Sequence, residues 1–333
     1  ILVKTHRGLL DMIKRLFSIL ICVIIALTAV GCGGTSEPED ANADPDNQLE
    51  QPVNSEAGWR RTIIYYASDE GFIVPVMKLI PWEEGIGKAA LKCLVGTETN
   101  ISATSAMGLN TVVPEGVTFE LSINEKEHGR VNLLNLPKLS DQSAELRMIT
   151  AIVNTLTEFP TIQTVSITVN GKGGKLPHGT PLPENSGRIS LNPENADLAT
   201  STSETVHPYT LYYTNQSANL NIPVTVYSTE SMTFYDAAAS LVDGPKLSGL
   251  RSCFPEGTRL IDASITDNTA TVNLSGAFSD ISYSPGLDVA AYETLFLTAC
   301  GFGNVSELII LVDGTEYEFS SGSVSAPLYA NKF

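Results

Sequence analysis

Two segments of the chain repeat one rhythm of apolar and polar positions, residues 62–171 and residues 210–314. Each opens on a β-branched and aromatic run, Ile63-Ile64-Tyr65 in the first and Leu211-Tyr212-Tyr213 in the second, at an offset of 148. At the same offset Pro75-Val76, inside IVPVMKLI, meets Pro223-Val224, inside IPVTVYS. Runs of this composition predict strands. Apolar positions at helical spacing follow: Ile86, Ala89, Ala90, Cys93 and Leu94, then Phe234, Ala237, Ala238, Leu241 and Val242. Each set falls at i, i+3, i+4, i+7 and i+8 and predicts a helix with one buried stripe. Gly96 and Gly244 stop these helices in register.

Pro114-Glu115-Gly116 matches Pro255-Glu256-Gly257 at offset 141, because the preceding loop is seven residues shorter in the second copy. Pro fixes φ and Gly permits positive φ, so both read as tight turns into a strand. The strands TFELSIN and RLIDASI return through NEKEHG and through Asp267-Asn268, to strands carrying Val131-Asn132-Leu133 and Val272-Asn273-Leu274. A second helix follows at offset 143, with Leu146, Ile149, Ile152, Val153, Leu156 and Phe159 matching Val289, Tyr292, Leu295, Phe296, Ala299 and Phe302. Val165, Ile167 and Val169 then alternate with polar residues, as do Leu308, Ile310 and Val312, before the turn dipeptides Asn170-Gly171 and Asp313-Gly314.

Each unit reads β-β-α-β-β-α-β. The expected fold is α+β: two repeated small domains, each a mostly antiparallel sheet with two helices packed on one face. The expected boundaries are 60–171 for the first domain, 172–208 for a linker, 209–320 for the second domain and 321–333 for a polar tail. The linker is rich in Pro, Gly, Ser and Asn, and its apolar piece Arg188-Ile189-Ser190-Leu191 points to part of it packing on a domain.

Ahead of the repeats the pattern changes. Met12-Ile13-Lys14-Arg15 precedes a nearly continuous apolar run, Leu16 to Val30. A positive start, an apolar stretch and small residues after it form a secretory signal, expected over residues 1–31 with translation beginning at Met12. About 15 apolar residues fall short of the ~20 that a spanning helix needs. Leu27-Thr28-Ala29-Val30-Gly31-Cys32 resembles the lipobox of bacterial lipoproteins, with Val30 where Ala or Ser is commoner. That resemblance implies that Cys32 is lipidated after cleavage before it, and that the mature chain sits on the extracytoplasmic face of the cell membrane. Residues 32–59 then read as a tether: Gly33 to Gly58 is acidic and rich in Pro, Asn and Gly, and buries too little to offset chain entropy.

The formal net charge is −17. Four of the 20 Lys and Arg, and one of the 37 Asp and Glu, lie in residues 1–31, which leaves −20 on the rest. Such a body repels phosphate backbones and anionic lipid headgroups alike, so nucleic acid is not an expected partner.

The ordered set of motifs resembles the GerMN domain family, whose members occur in tandem in sporulation and germination lipoproteins. The residues that carry it are the early Tyr-rich strand, the helix ending in Leu-Val-Gly or Leu-Val-Asp-Gly, the Pro-x-Gly turn, Val-Asn-Leu, and Thr155-Leu156-Thr157-Glu158-Phe159-Pro160 before a strand ending in Asn-Gly. The second copy departs at the last of these, with Thr298-Ala299-Cys300-Gly301-Phe302-Gly303. Leu176-Pro177-His178-Gly179 is similar to the family's inter-repeat region. The resemblance covers roughly residues 60–320. It implies a non-catalytic scaffold on the outer face of a membrane, membrane lipid as a partner through acylated Cys32, protein partners in the sporulation machinery, and self-association as an option. The alternatives are a solute- or glycan-binding lipoprotein and a cell-wall hydrolase.

Candidate chemistry is sparse. His6 precedes the mature chain, and His128, His178 and His207 are expected in loops with no metal-ligand spacing. There is no GxSxG, so a serine-hydrolase elbow has no support. Gly171-Lys172-Gly173-Gly174-Lys175 leads to Pro177 rather than to a helix, and reads as a turn. Cys22 lies in the signal; Cys93, Cys253 and Cys300 are expected as buried free thiols, with a Cys253–Cys300 bridge as the other option. Glu83-Glu84 suits a helix first turn, and Glu125 to Glu127 is a second acidic run. No catalytic residue, cofactor or metal is expected.

Overall fold

The computed structural model describes residues 58–81, 85–201 and 204–333. The first repeat comprises β1 (Trp59–Ser68), β2 (Ile73–Pro81), α1 (Ile86–Lys92), α2 (Glu98–Ser105), β3 (Leu109–Asn110), β4 (Thr118–Ile123), β5 (His128–Leu134), α3 (Gln142–Leu156) and β6 (Thr164–Val169). The second comprises β7 (His207–Asn215), β8 (Asn221–Ser228), α4 (Phe234–Asp243), β9 (Leu250–Arg251), β10 (Leu260–Thr266), β11 (Thr269–Leu274), a 3-10 helix (Gly276–Tyr283), α5 (Leu287–Ala299), β12 (Glu307–Val312) and β13 (Thr315–Glu316).

The architecture is the repeated α+β arrangement expected from the sequence, with one refinement. The strands of each repeat divide into two sheets, β2-β1-β3 and β4-β5-β6 in the first, β8-β7-β9 and β10-β11-β12-β13 in the second. All neighbours are antiparallel except β5 with β6 and β11 with β12. A parallel pair needs a crossover, and α3 and α5 supply it. The longer loop of the first repeat holds α2, which has no counterpart in the second; Thr97 caps it, its hydroxyl accepting the Asn100 N–H at 3.2 Å. The turn dipeptides do as expected: Asn170 and Gly171 have φ of 49° and 75°, Asp313 and Gly314 49° and 83°, the positive values a tight primed turn requires.

The long helices cover the open edge of the first strand. Thr155 of α3 accepts the Tyr65 N–H at 3.2 Å, and its counterpart Thr298 of α5 accepts the Tyr212 N–H at 3.0 Å. The buried stripes hold Ala89, Ala90 and Leu94 after β2, Ile149, Ile152 and Leu156 on α3, and Leu295, Phe296 and Ala299 on α5.

One expectation about these stripes is corrected. Leu146 is 49% exposed, and Glu145 and Met148 are buried in its stead. In the second repeat Asp288 is buried and Val289 only half-buried. A carboxylate can occupy such a position only when hydrogen bonds replace its water. Here the chain that follows each repeat provides them. Glu145 accepts the His178 N–H at 2.8 Å and the Thr180 N–H at 3.3 Å. Asp288 accepts the Ser320 N–H at 3.0 Å and the Ser320 hydroxyl at 2.8 Å. Burial works to raise both pKa values, but these donors outweigh it and hold both carboxyls below their ordinary range.

The sign of the pH dependence follows. A depressed folded pKa contributes stability at neutral pH that is lost as pH falls through the folded value. Glu145→Gln and Asp288→Asn should therefore lower the urea midpoint at pH 7 and flatten its acid limb. An unchanged acid limb in both variants would contradict the assignment.

Candidate functional site

The seam between the repeats is built from two strand edges. β2 and β8 lie against each other, and each carries a proline, Pro75 or Pro223, that withholds an N–H from the edge. An asparagine from the chain following each repeat fills the gap. Asn192, at φ 46°, accepts the Ile73 N–H at 2.8 Å and donates to the Ile73 and Pro223 carbonyls at 2.8 and 2.7 Å. Asn331 accepts the Asn221 N–H at 2.9 Å and donates to the Asn221 and Pro75 carbonyls at 2.8 and 3.0 Å. Ile73 and Asn221 are counterparts, as are Pro75 and Pro223, so the two clasps are one geometry used twice about a local two-fold. Both amide protons and the amide oxygen of each side chain are engaged.

The backbone continues each clasp. Thr225 donates to the Leu191 carbonyl at 2.9 Å and accepts from Glu194 at 3.0 Å, and Asn195 closes on Tyr227 N–H and C=O at 2.8 Å each. Met77 donates to the Asn331 carbonyl at 2.8 Å and accepts from Phe333 at 3.0 Å. The chain after the first repeat thus extends the second repeat's edge, and the chain after the second extends the first's.

A charged cluster flanks this seam. The Tyr65 hydroxyl donates to Glu158 at 2.5 Å, and the Arg188 guanidinium donates to both. Arg188 also lies over the Tyr65 ring, 5.5 Å from its centroid. Burial, then the Glu158 charge, push the Tyr65 pKa well up. Burial lifts Tyr212 to about 12 against the opposing pull of Arg188. Next to Arg188, Ile189 exchanges two 2.8 Å hydrogen bonds with the buried Asn154 side chain. The apolar piece of the interdomain stretch is therefore packed on α3.

The residues singled out in the sequence fall elsewhere. Cys32, the signal, His6, Cys22, Glu83-Glu84 and residues 32–57 of the expected tether lie outside the described residues, and the tether's last residue, Trp59, belongs to β1. Not all three later histidines are in loops: His128 opens β5 and His207 opens β7, because strand pairing extends past the turns that bound them. His128 bridges Thr164 at 2.8 Å and Ser166 at 2.7 Å, and His178 Nε2 meets the Leu139 carbonyl at 2.8 Å. Cys93, Cys253 and Cys300 are all free; Cys253 is buried as expected, Cys93 is only half-buried, and Cys300 is exposed at the C-cap of α5, one residue past the buried Ala299. Burial raises each thiol's pKa. Glu125 to Glu127 and Gly171 to Lys175 are exposed turns. Among the described residues no group of His, Cys, Asp and Glu could hold a metal, and no helix is long and apolar enough to cross a membrane. A cavity of about 520 Å³ lies under the C-terminal segment; Tyr329 is its single aromatic.

Asn192, Asn331, Glu145 and Asp288 were not singled out. Their signal is the repeat itself: Leu191-Asn192 and Ala330-Asn331 are 139 apart, and Glu145 and Asp288 are 143 apart.

Comparison with known proteins places this geometry in a family. The family described as "Germane: Sporulation and spore germination" matches residues 63–175 and 210–318, and the chain belongs to it. The spore germination protein GerM of Bacillus subtilis (strain 168) is 28% identical over 221 residues, which are 64% of this chain and 60% of that protein, so the match spans about three-fifths of its length. The solved tandem GerMN domains of the sporulation protein GerM from Bacillus subtilis share the fold, with a TM-score of 0.61 at 24% identity, covering 82% of this chain and 99% of that one.

Removing a clasp strands buried backbone groups. Asn192→Ala and Asn331→Ala should each cost about 1–3 kcal/mol in urea denaturation. The double variant should cost less than the sum, because both clasps close one seam. Losses below about 0.5 kcal/mol in both would show the clasps to be dispensable.

Proposed function

We propose that this protein is a lipid-anchored, extracytoplasmic assembly factor of sporulation or germination, which works by docking and not by catalysis. The observation that carries this reading is the reciprocal seam. It consumes the two edges through which the repeats could slide or open, and joins them into one body that presents two copies of the same outer surfaces. A body of this kind suits a spacer between partners better than a hinged binding cleft. The family match supports the setting, and the lipobox-like Leu27 to Cys32 supports the anchor. Acylation of Cys32 would raise the local concentration of the repeats at the membrane, where proteins of the sporulation machinery would bind them. The cavity under the C-terminal segment, with its one aromatic, does not favour a glycan site.

Two experiments test this reading. Cys32→Ala should abolish lipid labelling and release the protein from membranes; retained label would contradict the anchor. Deletion of the gene should reduce spore yield or germination, whereas normal sporulation and germination would contradict the role.

A further inference from the structure

The acidity of this chain is uneven. Residues 32–333 carry sixteen Lys and Arg against thirty-six Asp and Glu. Residues 58–68, 72–81 and 323–333 hold Arg60, Arg61, Lys78 and Lys332 and no acid. The fold gathers Arg61, Lys78 and Lys332 at one end of the body, while Arg60, on the alternate face of β1, lies over the Phe159 ring, 5.3 Å from its centroid. Trp59 pairs with Pro81 and Arg61 with Leu79 at the open end of the β1–β2 ladder, and the parallel bridge from Met77 to Lys332 lays the last residues beside them.

The same end exposes large apolar groups. Trp59 is 40% exposed, Leu79 46% and Phe333 42%. Trp59, Arg61, Leu79 and Pro81 share one face, since side chains two apart and directly across a ladder are neighbours. On the other face the Lys78 ammonium stands 4.8 Å from the centroid of the Phe333 ring. Among the described residues, Glu293 lines the adjoining cavity with Arg61 and Lys332. Glu83 and Glu84, which follow in sequence, lie outside the described residues.

Exposed aromatic rings beside long cations match the water–bilayer interface. Trp settles at headgroup level, and Lys and Arg extend their charge to lipid phosphates. The chain also enters the body at this end, at Trp59, after the 26 residues Gly33 to Gly58 that separate it from Cys32. From these observations we infer that the open end of the β1–β2 hairpin, with Phe333 and Lys332, is a membrane-docking surface that seats on anionic phospholipid headgroups. The inference takes its proximity to the bilayer from the proposed acylation of Cys32. The same lipid charge repels the acidic remainder of the body, so the docked state has one orientation, with the other surfaces turned away from the membrane and toward partners.

The chain has two tryptophans, Trp59 at this end and Trp82 outside the described residues, so the measurement is made on a Trp82→Phe background in which Trp59 is the single reporter. The acylated full-length protein is reconstituted into phosphatidylcholine vesicles with and without phosphatidylglycerol, doped with chain-brominated lipid. Phosphatidylglycerol should shift emission to the blue and increase quenching. High salt should reverse both changes, and Arg61→Gln or Lys332→Gln should each weaken docking about fivefold. Emission that is identical in the two lipids and indifferent to these variants overturns the proposal. Mass spectrometry of Cys32 separates the two readings. Acylated protein without lipid-dependent quenching leaves the anchor standing and overturns docking; unacylated protein that is still quenched in anionic vesicles does the reverse.

Discussion

Two asparagine side chains hold the edges of β2 and β8 closed, and the rest of the body is arranged around that constraint. A strand edge presents N–H and C=O groups that must be paired, covered or left to other chains. Pro75 and Pro223 each remove one donor, and Asn192 and Asn331 bond the groups that remain across the seam. The residues that carry these asparagines must therefore reach the other repeat. They are steadied on the way by buried carboxylates, Glu145 for the first and Asp288 for the second.

This arrangement explains why the repeats behave as one body and not as beads on a string. Each repeat alone would leave an edge open and would lack the segment that covers it. In the tandem chain each supplies what the other needs. The cost is that polar groups sit in buried positions, where every one needs its partner. The result is a fixed relation between two copies of one surface.

Much of the fold was legible because the repeat doubles every signal. The strand–helix order, the Pro-x-Gly turns and the Asn-Gly and Asp-Gly dipeptides recur in register, so each copy supports the other. What the pattern hid was polar burial. Hydrophobic periodicity assigns Leu146 and Val289 to the core, because it treats Glu145 and Asp288 as solvent-facing. Their partners, His178, Thr180 and Ser320, lie more than 30 residues away and have no local signature. The asparagine clasps were missed for the same reason: Asn192 and Asn331 lie beyond the matched segments, in stretches read as linker and tail. Cys32, the one residue given a specific chemical fate, lies outside the described residues, and its expected lipidation rests on its local sequence alone.

Amide hydrogen exchange at the seam tests the central claim most directly. Ile73 and Asn221 donate their backbone N–H groups to the clasps rather than to a neighbouring strand. If the clasps hold the body together, these two amides exchange as slowly as the interior of the β1–β2 and β7–β8 ladders, and only with global unfolding. Exchange as fast as in the exposed turn Glu125 to Glu127, while both ladders stay protected, would show that the seam opens freely and would contradict the account.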